Sequence, residues 1–159
     1  MNRTKIHELS QKEDKTVFIE GWIHDIKGQS KIKFIQLRDI TGVCQCVAFD
    51  PKLFDKIAKL TNESVVSING LVKKAIVKSE EISEKNIEIE VKDLEIINIA
   101  EPLPIPVMEK DKSITTELSK RLDYRFLDLH KKDVQAIFKI QSTLLQAYRE
   151  FMINENALE

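Results

Sequence analysis

The chain has 159 residues, 42% of them hydrophobic, with 25 Lys and Arg against 26 Asp and Glu for a formal net charge of −1. That is enough for one good core plus a small second unit. It excludes a polyelectrolyte that holds nucleic acid by charge alone, because residues 1–98 carry sixteen basic and sixteen acidic side chains. No apolar run approaches the roughly 20 residues that cross a bilayer, and Met1 to Lys15 is too polar for a secretory signal, so a soluble cytoplasmic chain with no membrane partner is expected.

Val17 to Ile26 reads as a strand with a bend or bulge near Gly21, its apolar set being Val17, Ile19 and, after the glycine step, Trp22. Gly21 and Trp22 are accordingly assigned to the bend and to the core. A second strand is expected from Ile32 to Arg38. Asp39-Ile40-Thr41-Gly42 forms a turn in which Gly42 is free to take positive φ, and Val43 to Phe49 is the returning strand. Within it Cys44 and Cys46 are expected on opposite faces, as two reduced structural thiols that share no metal.

Pro51 opens a helix with Asp50 as N-cap and Leu53, Phe54, Ile57, Ala58 and Leu60 as its buried stripe. Val65 to Val77 is a β-branched strand region broken at Asn69-Gly70, Ser79 to Lys85 is a charged loop, and Ile87 to Ile99 is the last strand, alternating at Ile87, Ile89 and Val91. Five strands with one helix between the third and fourth is the order of an all-β OB-fold barrel, whose sheet face binds oligonucleotides. A five-stranded barrel of another topology fits the pattern nearly as well. Residues 1–100 make this domain.

Pro102, Pro104 and Pro106 cannot sit in a helix or a sheet interior, so residues 101–118 are an extended, semi-rigid hinge. A short helix from Ser119 to Leu129 and a long amphipathic one from Lys132 to Asn154 fill residues 119–159. The long helix places Val134, Ile137, Phe138, Gln141, Leu144, Leu145, Tyr148, Phe151 and Met152 on one side. So broad a stripe must pack on something, and the chain's end at Glu159 suggests either a fragment whose partner segment is absent or a helix that docks on another subunit.

In the second strand Lys33, Ile35 and Leu37 share one face while Ile32, Phe34, Gln36 and Arg38 share the other. Phe34 therefore belongs to a half-exposed surface, with Gln45 on the neighbouring strand. An aromatic ring and a carboxamide on adjacent strands suit an unstacked base, the ring by stacking and the amide by offering both an acceptor and a donor. A core Phe and a solvated strand Gln are the plain alternatives.

Taken in order, Arg3-Thr4, Gly21-Trp22-Ile23-His24, Phe34, Leu37-Arg38-Asp39, Gly42-Val43-Cys44-Gln45, Glu101-Pro102-Leu103-Pro104, Arg121-Leu122-Asp123-Tyr124-Arg125-Phe126-Leu127-Asp128-Leu129 and Ala136-Ile137-Phe138-Lys139-Ile140 resemble the N-terminal part of class II aspartyl-tRNA synthetases of the archaeal and eukaryotic type. The resemblance covers nearly the whole chain. It implies an OB-fold that binds the tRNA anticodon, a hinge, and the start of the catalytic domain, whose motif 1 helix begins at Lys132 and helps form a homodimer. Ile137, Phe138, Leu144 and Tyr148 are the interface candidates.

Further, the resemblance implies that Phe34 stacks on the central anticodon base and that Gln45 reads its edge as uridine. Glu88 lies near the anticodon bases with Glu90 as competitor, and Lys27 meets a phosphate or an outer base. His24 stands where relatives separate strict aspartate enzymes from those that also charge asparagine tRNA, His going with the latter. Motifs 2 and 3 are missing, so no catalytic residue and no metal or cofactor is expected in this stretch, ATP and magnesium belonging to the rest of the enzyme. The rival readings are a free-standing single-stranded nucleic-acid or tRNA binder and a dimerisation module. Arg121, Asp123 and Arg125 are read as forming salt bridges that fix one domain on the other or as touching the tRNA stem, and their spacing favours the intrachain role.

Overall fold

The structure is a computed structural model describing residues 2–29, 31–108 and 116–157, without the Gln29 side chain. Strands β1 (Thr16–Gln29), β2 (Ile32–Arg38), β3 (Val43–Ala48), β4 (Val65–Lys74) and β5 (Ile87–Asn98) close into a barrel in the order β1-β2-β3-β5-β4. Helix α1 (Pro51–Ile57) lies between β3 and β4 in the chain. The neighbours β3 and β5 pair in parallel while all other pairs are antiparallel, which selects the OB topology over other five-stranded barrels.

β1 serves two partners. Its first half pairs with β4 from Thr16 to Trp22, its second half with β2 from Trp22 to Gln29. A Cβ on Gly21 would stand 2.3 Å from the Arg38 carbonyl oxygen, so a side chain there is sterically blocked at the corner. The ladder is irregular between Ile23 and Asp25, leaving His24 as the extra residue of a bulge, three positions beyond the predicted one. Ile23 stays satisfied: its N–H donates to Ser64 (2.8 Å) and its carbonyl accepts from Glu63 (2.8 Å).

Val17, Ile19, Ile23, Ile35, Leu37, Val66, Ile68, Ile89 and Leu94 fill the barrel, joined by Leu53 and Ile57 of α1 and by Ile6 and Leu9 of a 3-10 helix, Ile6–Gln11. Asp50 caps α1 as expected, accepting from the Lys52 N–H at 2.9 Å. The stripe is narrower than read: the helix ends at Ile57 and Ala58, its C-cap, is exposed, while Ile57 and Leu60 on either side of it are buried.

Several expectations are corrected. Cys44 and Cys46 face the same way, both buried, with sulfurs 3.9 Å apart. A strand repeats its side-chain direction every second residue, so opposite faces were not possible. The Cys46 contact and burial hold the Cys44 thiol well above its usual pKa, keeping it protonated.

Trp22 is half-buried and lies outside the core. It is paired with Arg38, whose guanidinium sits 5.9 Å from its ring centroid, because the inward phase runs Val17, Ile19, Gly21, Ile23. Gly42 does not take positive φ; among the described residues the left-handed positions are Asp14, Glu63 and Asn156. Asn69-Gly70 does not break β4 but forms a second register shift, where a Cβ on Gly70 would meet Ile89 Cγ2 at 2.4 Å.

The chain divides into two units, residues 1–103 and 104–159. In the second, the predicted single short helix is two pieces, α2 (Leu118–Asp123) and α3 (Arg125–Asp128), parted at Tyr124, followed by α4 (Lys132–Asn154) with the predicted bounds. Asp128, fully buried, accepts from Arg121 Nε (2.8 Å) and Arg125 Nη1 (3.0 Å) and lies 3.5 Å from Lys131 Nζ. The Arg121 hydrogen bond holds its carboxyl below the usual aspartate range. The predicted salt-bridge cluster thus turns on Asp128, while Asp123 is exposed. Before α2 the proline segment is irregular through Val107, and the expected hinge residues 109–115 lie outside the described residues.

Candidate nucleic-acid interface

Register places the outer side chains of β1, β2, β3 and β5 in rows across the barrel wall. Lys27 is opposite Phe34, Phe34 opposite Val47, and Val47 opposite Glu90. In the next row Asp25 is opposite Gln36 and Gln36 opposite Gln45, whose amide Nε2 donates to Glu88 Oε2 at 3.0 Å. A third row holds Trp22, Arg38 and Val43. Ring and carboxamide therefore share one face of the wall, outside the hydrophobic interior.

The segment 75–86 folds over this face. Ser83 Oγ accepts from the Val43 N–H (3.0 Å), the Ser83 N–H donates to the Val43 carbonyl (2.9 Å), and Val77 and Ile82 pack with Val43 in a small satellite cluster. Phe34, Gln45 and Glu88 remain half-buried beside it. Phe34 is half-exposed as expected, but its polar neighbours are buried: Gln36 is bonded to Ser79 of the loop, and Arg38 is enclosed by Trp22, His24 and Glu63.

Each predicted residue has a definite setting. Gln45 and Glu88 touch. Glu90 is tied to Lys73 and Lys92, and the Lys73 hydrogen bond followed by that of Lys92 pulls its carboxyl below the usual range. That engagement leaves Glu88 as the acid of the middle row. Lys27 is exposed, its ammonium 3.3 Å from Asp25 Oδ2.

His24, turned by the bulge, is buried. Its Nδ1 is 3.4 Å from Arg38 Nη1 and its Nε2 3.7 Å from Glu81 of the covering loop, while Arg38 reaches Glu63 at 2.7 Å. Because an arginine can only donate, His24 Nδ1 is the acceptor and Nε2 carries the hydrogen toward Glu81. The ring thus links strand and loop, which is the local engagement expected of a histidine in such a strand. Ile137, Phe138, Leu144 and Tyr148 are all exposed on α4.

Sequence reasoning did not bring out that Gln36 stands directly across from Gln45, although the signal was present. A turn over residues 39–42 that pairs Arg38 with Val43 necessarily sets Gln36 across from Gln45. Among the described residues, no group of three His, Cys, Asp or Glu could hold a metal ion. No helix among them is long and apolar enough to cross a membrane.

Residues 17–97 match the tRNA anti-codon family model, an OB-fold nucleic acid binding domain. The aspartate–tRNA(Asp/Asn) ligase of Methanocaldococcus jannaschii is 41% identical over 148 residues, covering 90% of this chain and 32% of that protein. The aspartate–tRNA(Asp) ligase of Thermoplasma acidophilum is 35% identical, covering 100% of this chain and 36% of its own length. The chain thus spans about a third of these curated relatives.

Two solved structures are also similar. Aspartyl-tRNA synthetase from Entamoeba histolytica superposes with a TM-score of 0.84 at 26% identity, over 98% of this chain and 38% of that one. Asparaginyl-tRNA synthetase from Pyrococcus horikoshii does so with a TM-score of 0.80 at 28% identity, over 98% and 35%. Closed barrel, strand order and family match agree: the chain belongs to the OB-fold nucleic acid binding domains of the tRNA anti-codon family.

Proposed function

We propose that this chain selects its tRNA by binding the anticodon loop, as the recognition part of an aspartate–tRNA ligase. The observation that carries this reading is a half-exposed Phe34 on the same outer wall as the Gln45–Glu88 pair. The loop unstacks onto the wall, Phe34 stacks on the central base, and Gln45 reads the edge of that base. Glu88 holds the Gln45 amide in place, and Lys27, at the rim, meets a phosphate. Amino-acid activation with ATP and magnesium belongs to the portion of the ligase that extends beyond the third matched here.

Selection of asparagine tRNA beside aspartate tRNA is part of the same proposal. Its support is His24 at the edge of the site, and relatives named for both tRNAs, such as that of Methanocaldococcus jannaschii. Homodimerisation through the exposed stripe of α4, with Ile137, Phe138, Leu144 and Tyr148 at its centre, is supported by that stripe's apolar character.

The test is Phe34→Ala, read by fluorescence anisotropy with aspartate tRNA at fixed salt. Loss of one base–aromatic stack, worth about 1–3 kcal/mol, weakens binding by about 5- to 150-fold while the unfolding midpoint stays put. Unchanged affinity in a folded variant refutes the reading. Equal affinity for hairpins with every triplet would favour the general single-strand binder instead.

A further inference from the structure

Gln36 is 4% exposed, and its two amide ends are treated unequally. Nε2 donates to Ser79 Oγ at 3.2 Å, while Oε1 is sealed from solvent and has no hydrogen-bond partner among the described residues. A desolvated carbonyl without a donor is unfavourable, and native structures leave few of them. This one stands in the middle row of the wall, directly opposite Gln45 and two residues along the same face from Phe34.

We propose that Gln36 is a second specificity-determining residue: its Oε1 accepts the ring N–H of the base stacked on Phe34, completing the reading begun by Gln45. The inference rests on the anticodon-loop proposal and deepens it. Gln45 gives one amide hydrogen to Glu88 and keeps the other for a base carbonyl. Gln36 supplies the adjoining acceptor. Together they match an edge in which an N–H lies next to a carbonyl, as at N3–H of uracil. Cytosine has the same ring size but turns an N3 lone pair toward Oε1, setting two acceptors against each other. A base edge entering between half-exposed Phe34 and Gln45 reaches Gln36 once Ser79, on the covering loop, yields its place.

The experiment uses the full chain and two short RNA hairpins that differ by U or C at the central loop position. Affinities come from anisotropy at one ionic strength, with the thermal unfolding midpoint as a control. The wild type favours U, and Gln36→Met, of similar shape but with no carbonyl, lowers the U/C affinity ratio by about tenfold, with the midpoint unchanged or raised. Should the Met variant not fold, Gln36→Asn, which keeps the amide but withdraws it by one methylene, gives the same fall.

A wild type that binds both hairpins equally, or a folded Gln36 variant with an unchanged U/C ratio, overturns the assignment. If Phe34→Ala still weakens binding in that case, the anticodon-loop reading stands and only Gln36 is dismissed. A wild type that binds neither hairpin overturns both.

Discussion

The barrel and the C-terminal helix use the same kinds of side chain and treat them in opposite ways. Ile68 in β4 is fully buried, while Leu144 in the middle of α4 is 68% exposed, and Ile137, Phe138, Leu145, Tyr148 and Phe151 along the same stripe are exposed too. Both segments announce themselves by periodicity, two in the strand and 3.6 in the helix. Periodicity says that a face wants cover, and the cover comes from elsewhere. In the barrel every strand has two neighbours and an enclosed interior. In the second unit a carboxylate is well satisfied: Asp128 draws in Arg121, Arg125 and Lys131 and pins the turns ahead of α4.

Truncating one residue of each kind breaks the comparison most directly. Ile68→Ala should cost about 2–5 kcal/mol of unfolding free energy in urea, since it opens a cavity in a closed core. Leu144→Ala should stay within about 0.5 kcal/mol in the monomer. Equal losses would mean that α4 is as fully packed as β4.

A smaller effect is expected at the corner of β1. Gly21→Ala drives a methyl into the Arg38 carbonyl and should destabilise by about 1–3 kcal/mol, with loss of amide protection at Ile23 and Glu63. A neutral result would show that the corner can relax.

The smallest sharpens the account of the second unit. Asp128 has a lowered pKa, so its ion pairs contribute above the ordinary aspartate value of 3.8 and that contribution is lost as pH falls below it. Helicity of the second unit, followed by circular dichroism from neutral pH downward, should therefore decline below about pH 4. Asp128→Asn should remove that part of the decline and leave the helix less stable at neutral pH.

Much of this was legible beforehand for reasons that are local. β2 and α4 have the predicted bounds because alternation and helical spacing run unbroken through them, and Asp50-Pro51 is a start signal that needs no tertiary context. What escaped was set by neighbours far along the chain. The bulge falls at His24, just after β1 changes partner at Trp22 from β4 to β2, and Trp22 goes outward because Gly21 keeps the inward phase. Gly70 is a glycine because Ile89 approaches it across the ladder. The expectation that Phe34 and Gln45 share one outer face agrees with the register. The covering of Gln36 follows from the loop of residues 75–86, whose course no periodicity describes.

The parallel seam between β3 and β5 holds through Cys46 with Ile89 and Val47 with Glu90, the shortest ladder in the cylinder. Gln45 and Glu88 stand at its upper lip and clasp across it. A guest that grips both would act as a buckle on the barrel's thinnest joint, tightening the closure as it bound. Slower deuterium uptake by the amides of that joint would be its signature.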